Sequence, residues 1–313
     1  MRIGYPCINL TLECRPSRTF RLASLSEERL RATIAGNLAC LEEIVRWNAA
    51  RGLLFLRITS DLIPFGSHPA NRLTWEREFA ADFARIGALI RAHGFRISMH
   101  PGQYTLLNSP HPPVLAAALA DLAYHARVLK ALGLDRSAKI QTHVGGVYGD
   151  RSAAMARFIA QAGALDPQVR ARLVVENDER FYTVADCLTI SRATGLPVLF
   201  DCFHHELNPG DHTLEAALEQ TASTWGPEDG LPMVDYSSPL ADGRAGRHAQ
   251  RLDATHFRRF LEASRPWDFD LMLEVKDKER SALRALEIAA GDPRVQCTGL
   301  KRRCWARRHP SAA

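Results

Sequence analysis

The chain has 313 residues, 46% hydrophobic and 24% charged, with a formal net charge of +5. That composition can bury a large core and excludes global disorder, and no apolar run approaches the ~20 residues that span a bilayer. The seven cysteines are odd in number and scattered, with no Cys-x-x-Cys pair, which argues for reduced thiols and against a disulfide or zinc-ribbon framework.

The N-terminus, Met1-Arg-Ile-Gly-Tyr-Pro6, lacks the basic-then-apolar plan of an export signal, so a cytoplasmic location is expected. From there short apolar runs alternate with amphipathic stretches. The pattern predicts strands at 2–7, 53–59, 96–99, 139–144, 172–176, 196–201, 233–236 and 270–275. Helices are predicted at 26–51, 75–93, 114–132, 152–162, 183–194, 213–221, 254–262 and 279–290, the first capped by Ser26. Gly52, Gly94, Gly133 and Gly195 follow helices just before the next strand, where a left-handed residue ends a helix. Eight strand–helix units in succession predict an α/β fold, a (β/α)₈ TIM barrel, with a doubly wound open sheet as the competitor. Residues 1–290 read as one domain. Residues 291–313 read as a basic tail, in which Lys301, Arg302, Arg303, Arg307 and Arg308 equal the whole net charge of +5. A tail of that kind is ordinarily a solvated segment.

In such a barrel the reacting groups sit where strands end. Leu196-Pro-Val-Leu-Phe-Asp201 is an apolar run closing on a carboxylate, with His204 three residues on. The third strand runs into His100, Gln103 and Tyr104, the fourth ends at His143, the fifth at Glu176, the seventh at Asp235 and the eighth at Glu274. His68 follows the second strand, and His248 lies in an Arg-rich loop after the seventh. Taken singly, each is more often a helix cap or a satisfied side chain. Together on one rim they would repel unless cations neutralise them, and mixed imidazole and carboxylate donors suit zinc, manganese or iron. More than one ion is needed to use so many donors. Such a site polarises a phosphoryl oxygen and generates hydroxide near neutral pH, which points to metal-assisted phosphodiester hydrolysis.

The stretches Arg2-Ile-Gly-Tyr-Pro-Cys-Ile-Asn-Leu-Thr-Leu12, Ser98-Met-His-Pro-Gly-Gln-Tyr104, Glu176-Asn-Asp-Glu-Arg180, Asp201-Cys-Phe-His-His-Glu-Leu-Asn-Pro209 and Glu274-Val-Lys-Asp-Lys-Glu279 resemble the UV damage endonucleases. Those are DNA-repair enzymes on a xylose isomerase-like TIM barrel, related to endonuclease IV. The resemblance implies nicking of duplex DNA 5′ to pyrimidine dimers, (6-4) photoproducts and abasic sites, with two or three manganese ions per chain. It implies His100, His143 and Glu176 around a first ion, Glu176, Asp201, Asp235 and Glu274 around a second, and His204 and His248 at a third. It casts His68, Glu176 and Glu274 as catalytic, and Tyr5, Asn9, Gln103 and Tyr104 as lesion contacts. Arg244 and Arg247, beside His248, are expected to grip phosphate. The chain departs from the family where Met233-Val-Asp235 replaces a usual Lys-x-His, which bears most on the third ion. A sugar isomerase or epimerase on the same barrel and a non-catalytic damage-binding module are the competing functions. A monomer acting on damaged double-stranded DNA is expected.

Overall fold

The computed structural model describes residues 1–239 and 247–295. Its chain order is β1 (Ile3–Pro6), α1 (Glu27–Ala49), β2 (Phe55–Ile58), α2 (Trp75–Glu78), α3 (Ala80–Ala92), β3 (Arg96–Met99), α4 (Pro112–Ala131), β4 (Lys139–His143), α5 (Arg151–Ala164), α6 (Pro167–Arg170), β5 (Leu173–Glu176), α7 (Val184–Thr194), β6 (Val198–Asp201), α8 (Cys202–Leu207), α9 (Leu214–Ala222), β7 (Met233–Tyr236), α10 (Ala254–Ala263), β8 (Asp270–Leu273) and α11 (Glu279–Ile288). The strands pair in sequence order and β8 closes on β1, all parallel, so the sheet is a closed eight-stranded barrel and not an open one. No helix among the described residues is long and apolar enough to cross a membrane.

The period-two alternation of the strands sorts their side chains into layers. Ile3, Tyr5, Leu56, Ile58, Ile140, Val175, Phe200, Val234 and Leu271 face the helices and join the main core. Inside the barrel, Phe55, Val174, Leu199, Met233 and Met272 pack as a separate apolar layer. One residue pair further toward the strand C-termini, the same inward faces carry Arg57, Gln141, Glu176, Asp201 and Asp235. The apolar layer therefore floors a polar mouth.

Below that floor, Lys139 is fully buried and donates to Asp229 at 2.7 Å and to the Ala171 carbonyl at 2.9 Å. Burial, outweighing Asp229, pulls the Lys139 ammonium down to about 8. Asp229→Ala should strand that ammonium and cost about 3–5 kcal/mol near pH 7, measured by thermal or denaturant unfolding. Between about pH 8 and the ordinary lysine range only the unfolded chain holds the proton, so this group's contribution to stability rises with pH there. The Asp229→Ala deficit should accordingly shrink in alkali, as Lys139 becomes neutral.

Several local expectations are met and some are corrected. Ser26 caps α1 by accepting the Arg29 amide at 3.2 Å. Gly195 ends α7 at φ 73°, and Gly52, Gly94 and Gly133 also have positive φ. The helix expected over 75–93 is two helices, because Phe79 leaves helical geometry at φ −103°, ψ 23°. The expectation of no disulfide is overturned: Cys14 bonds Cys40, tying the β1–α1 loop to α1. An odd, scattered set excludes a full framework but leaves room for one pair, and a separation of 26 residues hides that the loop folds back onto its own helix. Among the described residues, Cys7, Cys187 and Cys202 are free. The expected basic tail falls mainly on 296–313, outside the described residues. Arg294, just before it, is anchored to the body through the carbonyls of Ser264 at 2.6 Å and Trp267 at 2.9 Å.

Candidate metal centre

The C-terminal mouth of the barrel gathers its donors by strand register. His143 and Glu176 are neighbours across β4 and β5, and Asp201 and Asp235 across β6 and β7. Three overlapping groups result, each with donor atoms within 4.8 Å of one another: His100, His143 and Glu176; Glu176, Asp201 and His204; Asp201, Asp235 and Glu274. Glu176 and Asp201 are shared between groups, so the three form one continuous cluster.

Hydrogen bonds set which histidine nitrogen is available. His100 Nδ1 lies 2.9 Å from the Pro101 carbonyl, which can only accept, so the lone pair is on Nε2, 3.4 Å from Glu176 Oε2. His143 Nε2 is 3.9 Å from Glu176 Oε1. His204 rides on α8, a short helix capped by Asp201, whose carboxylate accepts the His204 amide at 2.8 Å. Its Nδ1 donates to the Asn177 carbonyl at 3.1 Å while facing Asp201 at 3.4 Å and Glu176 at 3.7 Å. The free lone pair of a neutral His204 is therefore on Nε2, 3.7 Å from Glu179. His248 reaches the rim from the far end of the β7–α10 loop, its Nε2 3.7 Å from Glu274 Oε2. It joins none of the three groups, though its ring lies 6.4 Å from that of His204.

Electrostatics leave the cluster short of positive charge. Glu176, Asp235 and Glu274 converge around Arg57, whose guanidinium contacts Asp235 Oδ2 at 2.6 Å and also pairs with Glu274, and Asp201 adjoins the same carboxylates. Burial pushes the Asp235 carboxyl up to about 7 against the pull of Arg57, with Glu274 and Glu176 adding repulsion. Burial would also raise Glu274, but Arg57 overrides it and holds that carboxyl at about 2. Burial lifts Asp201 well above the usual carboxylate range despite His204. Burial would lower His204, yet Asp201 and Glu176 carry it up to about 9. Several buried polar atoms here have no hydrogen-bond partner among the described residues: Asp235 Oδ1, His143 Nδ1 and His248 Nδ1. Orphaned donors, excess carboxylate charge and mixed nitrogen and oxygen ligands fit divalent transition-metal ions.

Three participants are missing from the strand-end reading. Arg57 is the charged member of an otherwise apolar β2, and Gln141 sits two residues before His143 on the same inward face. Gln141 Nε2 donates to Glu176 Oε2 at 2.9 Å and Asp235 Oδ2 at 2.8 Å, clamping the two carboxylates together. Asn177 holds the Asp201 backbone from both sides, donating to its carbonyl and accepting its amide, each at 2.9 Å. A polar residue at an inward position of a buried strand was the available signal for the first two.

His68 is exposed in the loop after β2, and its Nδ1 accepts the Ala70 amide at 3.0 Å, leaving the neutral ring with an Nε2 proton to donate. Gln103 and Tyr104 project from the loop after β3, and Tyr104 is 71% exposed. A Cβ at Gly102 would come within 2.5 Å of the Tyr104 ring, so glycine lets that ring lie against the loop. Tyr5 and Asn9 are buried instead: Tyr5 points outward to α1, donating to Asn48 at 2.7 Å and accepting from Asn9 at 2.8 Å. The strand alternation turns Tyr5 away from the mouth, so neither residue offers surface to a ligand in this state. Arg247 is exposed, and Arg244 lies outside the described residues. Met233 sits in the apolar layer beneath Asp235, and the cation beside the carboxylates is Arg57 from the other side of the barrel.

Sequence comparison matches residues 1–296 to a single family, the UV-endonuclease UvdE family. A UV DNA damage endonuclease of Clostridium perfringens is 36% identical over 289 residues, covering 91% of this chain and 70% of that protein. One from Bacillus cereus (strain G9842) is 31% identical over 297 residues, covering 92% and 94%. The crystal structure of SacUVDE superposes with a TM-score of 0.89 at 40% identity, covering 93% of this chain and 98% of that one. Endonuclease IV from Thermus thermophilus (TM-score 0.58, 16% identity) and a D-psicose 3-epimerase (TM-score 0.54, 14% identity) share the barrel fold alone.

Proposed function

The chain belongs to the UV-endonuclease UvdE family, and from that membership we propose that it nicks duplex DNA on the 5′ side of UV photoproducts, and at abasic sites, using divalent metal ions, with manganese the preferred one. The observation that carries the metal-dependent reading is the continuous donor cluster in which Glu176 and Asp201 are each shared by two groups. His100, His143 and Glu176 would hold one ion, and Asp201, Asp235 and Glu274, with Glu176, a second. His204 Nε2 and His248 would hold a third. Ions there would supply Lewis-acid polarisation of the phosphoryl group and charge neutralisation at the departing oxygen.

The chain's own residues do the rest. Gln141 and Arg57 hold the carboxylates in register, so little reorganisation is required as charge develops. His68, whose Nδ1 accepts the Ala70 amide, would donate from Nε2 to a phosphate oxygen. Gln103 and Tyr104 would enter the duplex where a lesion has already weakened stacking, since such a step opens at lower cost. Arg247 and Arg244 would grip backbone phosphate without reading sequence. The sugar-epimerase reading has only fold-level likeness behind it. An end-labelled duplex carrying one defined photoproduct, incubated with and without manganese, tests the proposal. Cleavage immediately 5′ to the lesion is expected only with metal, and a manganese-independent nick or none at all would overturn it.

A further inference from the structure

Beside the metal cluster, on the β3–β5 side of the mouth, lies a groove of about 260 Å³. His100, Thr142 and His143 are among its lining residues, together with the Pro101–Leu106 loop and with Arg180 and Phe181 from the loop after β5. None of the residues discussed so far accounts for Arg180 or Phe181. Phe181 is 37% exposed, unusual for a phenylalanine in a chain whose large apolar side chains are mostly buried. Arg180 lies over its ring at 5.0 Å and forms no ion pair among the described residues. Of the two acidic residues of this loop, Glu179 faces His204 at 3.7 Å and Asp178 accepts backbone amides of its own turn.

The loop holding Phe181 is braced by hydrogen bonds to its own backbone. Asp178 accepts the amides of Arg180 at 2.8 Å and Tyr182 at 3.2 Å, as well as that of Phe181. Tyr182 in turn donates from its hydroxyl to the Gly146 carbonyl at 3.1 Å, tying the turn to the loop after β4. An apolar ring fixed in an exposed position by its own turn has already lost the freedom that a ligand would otherwise have to remove. The cavity is smaller than the ~300–1,000 Å³ that drug-sized ligands occupy, which fits one planar base. It also opens onto His100 and His143, so a base held there belongs to a nucleotide next to the reacting phosphate.

We infer that this groove is a nucleobase subsite, in which Phe181, backed by Arg180, stacks on an unpaired base of the damaged duplex. The inference rests on the endonuclease reading above and adds a second aromatic contact, separate from Tyr104. Aromatic stacking of this kind tolerates any base, because every base offers a π-face. The loop therefore adds affinity for opened DNA without adding sequence preference.

The test uses the full chain in chelator, so that binding is read without cleavage. Photoproduct duplexes carry 2-aminopurine in turn at each position flanking the lesion on both strands. Phe181→Ala should weaken lesion-duplex binding about 10-fold, as loss of one stacked base predicts. At one position it should also brighten the 2-aminopurine that wild type quenches. Phe181→Trp should restore both readouts, and Arg180→Ala should give a smaller loss in the same direction. Because Phe181 is partly exposed, unchanged melting of Phe181→Ala is expected. A wild-type preference for the lesion duplex that survives Phe181→Ala, with no 2-aminopurine position altered, sinks the subsite alone. Failure of wild type to prefer that duplex sinks the endonuclease reading, and the subsite with it.

Discussion

Glu176→Gln should abolish nicking of a photoproduct duplex, by about a thousand-fold or more, and should also make the metal-free protein less stable than wild type near neutral pH. The two halves of this expectation have one cause. Glu176 is the carboxylate common to the groups with His100 and His143 on one side and Asp201 and His204 on the other, so its charge would serve two ion positions. Glutamine keeps the volume and one acceptor oxygen, but places an amide that can only donate toward either the Gln141 amide or a ligand nitrogen. Burial would raise the Glu176 carboxyl, but His143, His100 and His204 override it and hold it well below the usual carboxylate range, so in the metal-free fold the charge stabilises. Its repulsion of Asp201, Asp235 and Glu274 offsets only part of that. Activity and unfolding temperature should thus fall together. A Glu176→Gln protein that cleaves at the normal rate, or one that unfolds no earlier than wild type in chelator near neutral pH, would refute this account of the site.

The barrel and most of this cluster were legible in the sequence because both depend on periodicity. Strand ends such as Val175-Glu176 and Phe200-Asp201 show a run of apolar residues closing on a ligand, and parallel register converts that linear pattern into a ring. Arg57 and Gln141 escaped notice because they lie within strands rather than at their ends. Only the pairing of inward faces reveals that they meet Asp235 from across the barrel. Tyr5 shows the complementary case: it is close in sequence to the mouth, yet the two-residue alternation sends its side chain to α1. The Cys14–Cys40 bond was hidden because it depends on the path of an irregular loop, which no periodicity records. His204 follows Asp201 by three residues in the sequence, but which of its nitrogens can ligate depends on the Asn177 carbonyl, a tertiary contact.

Replacing Arg57 with methionine should have the largest effect on the metal-free fold. Arg57 is buried, and its two terminal nitrogens divide between Asp235 and Glu274. Truncating it leaves those carboxylates facing each other and Glu176 in a dry cavity, a change that costs about 3–5 kcal/mol when one partner of a buried pair is lost. Asp235, already pushed to about 7, would take up a proton and recover part of that cost. Divalent metal should recover more. A cation at the Asp201, Asp235 and Glu274 group draws on oxygens that Arg57 engages in the metal-free state, so in wild type the ion competes with the guanidinium. Without Arg57 that competition disappears, and ligand binding to the folded state raises stability with the logarithm of its affinity there. Added manganese should therefore raise the melting temperature of Arg57→Met by more than it raises that of wild type. Calorimetric titration should show tighter binding at one position and no change in the number of ions bound. Equal metal-induced shifts in the two proteins would mean that Arg57 supports the fold but does not share oxygens with an ion.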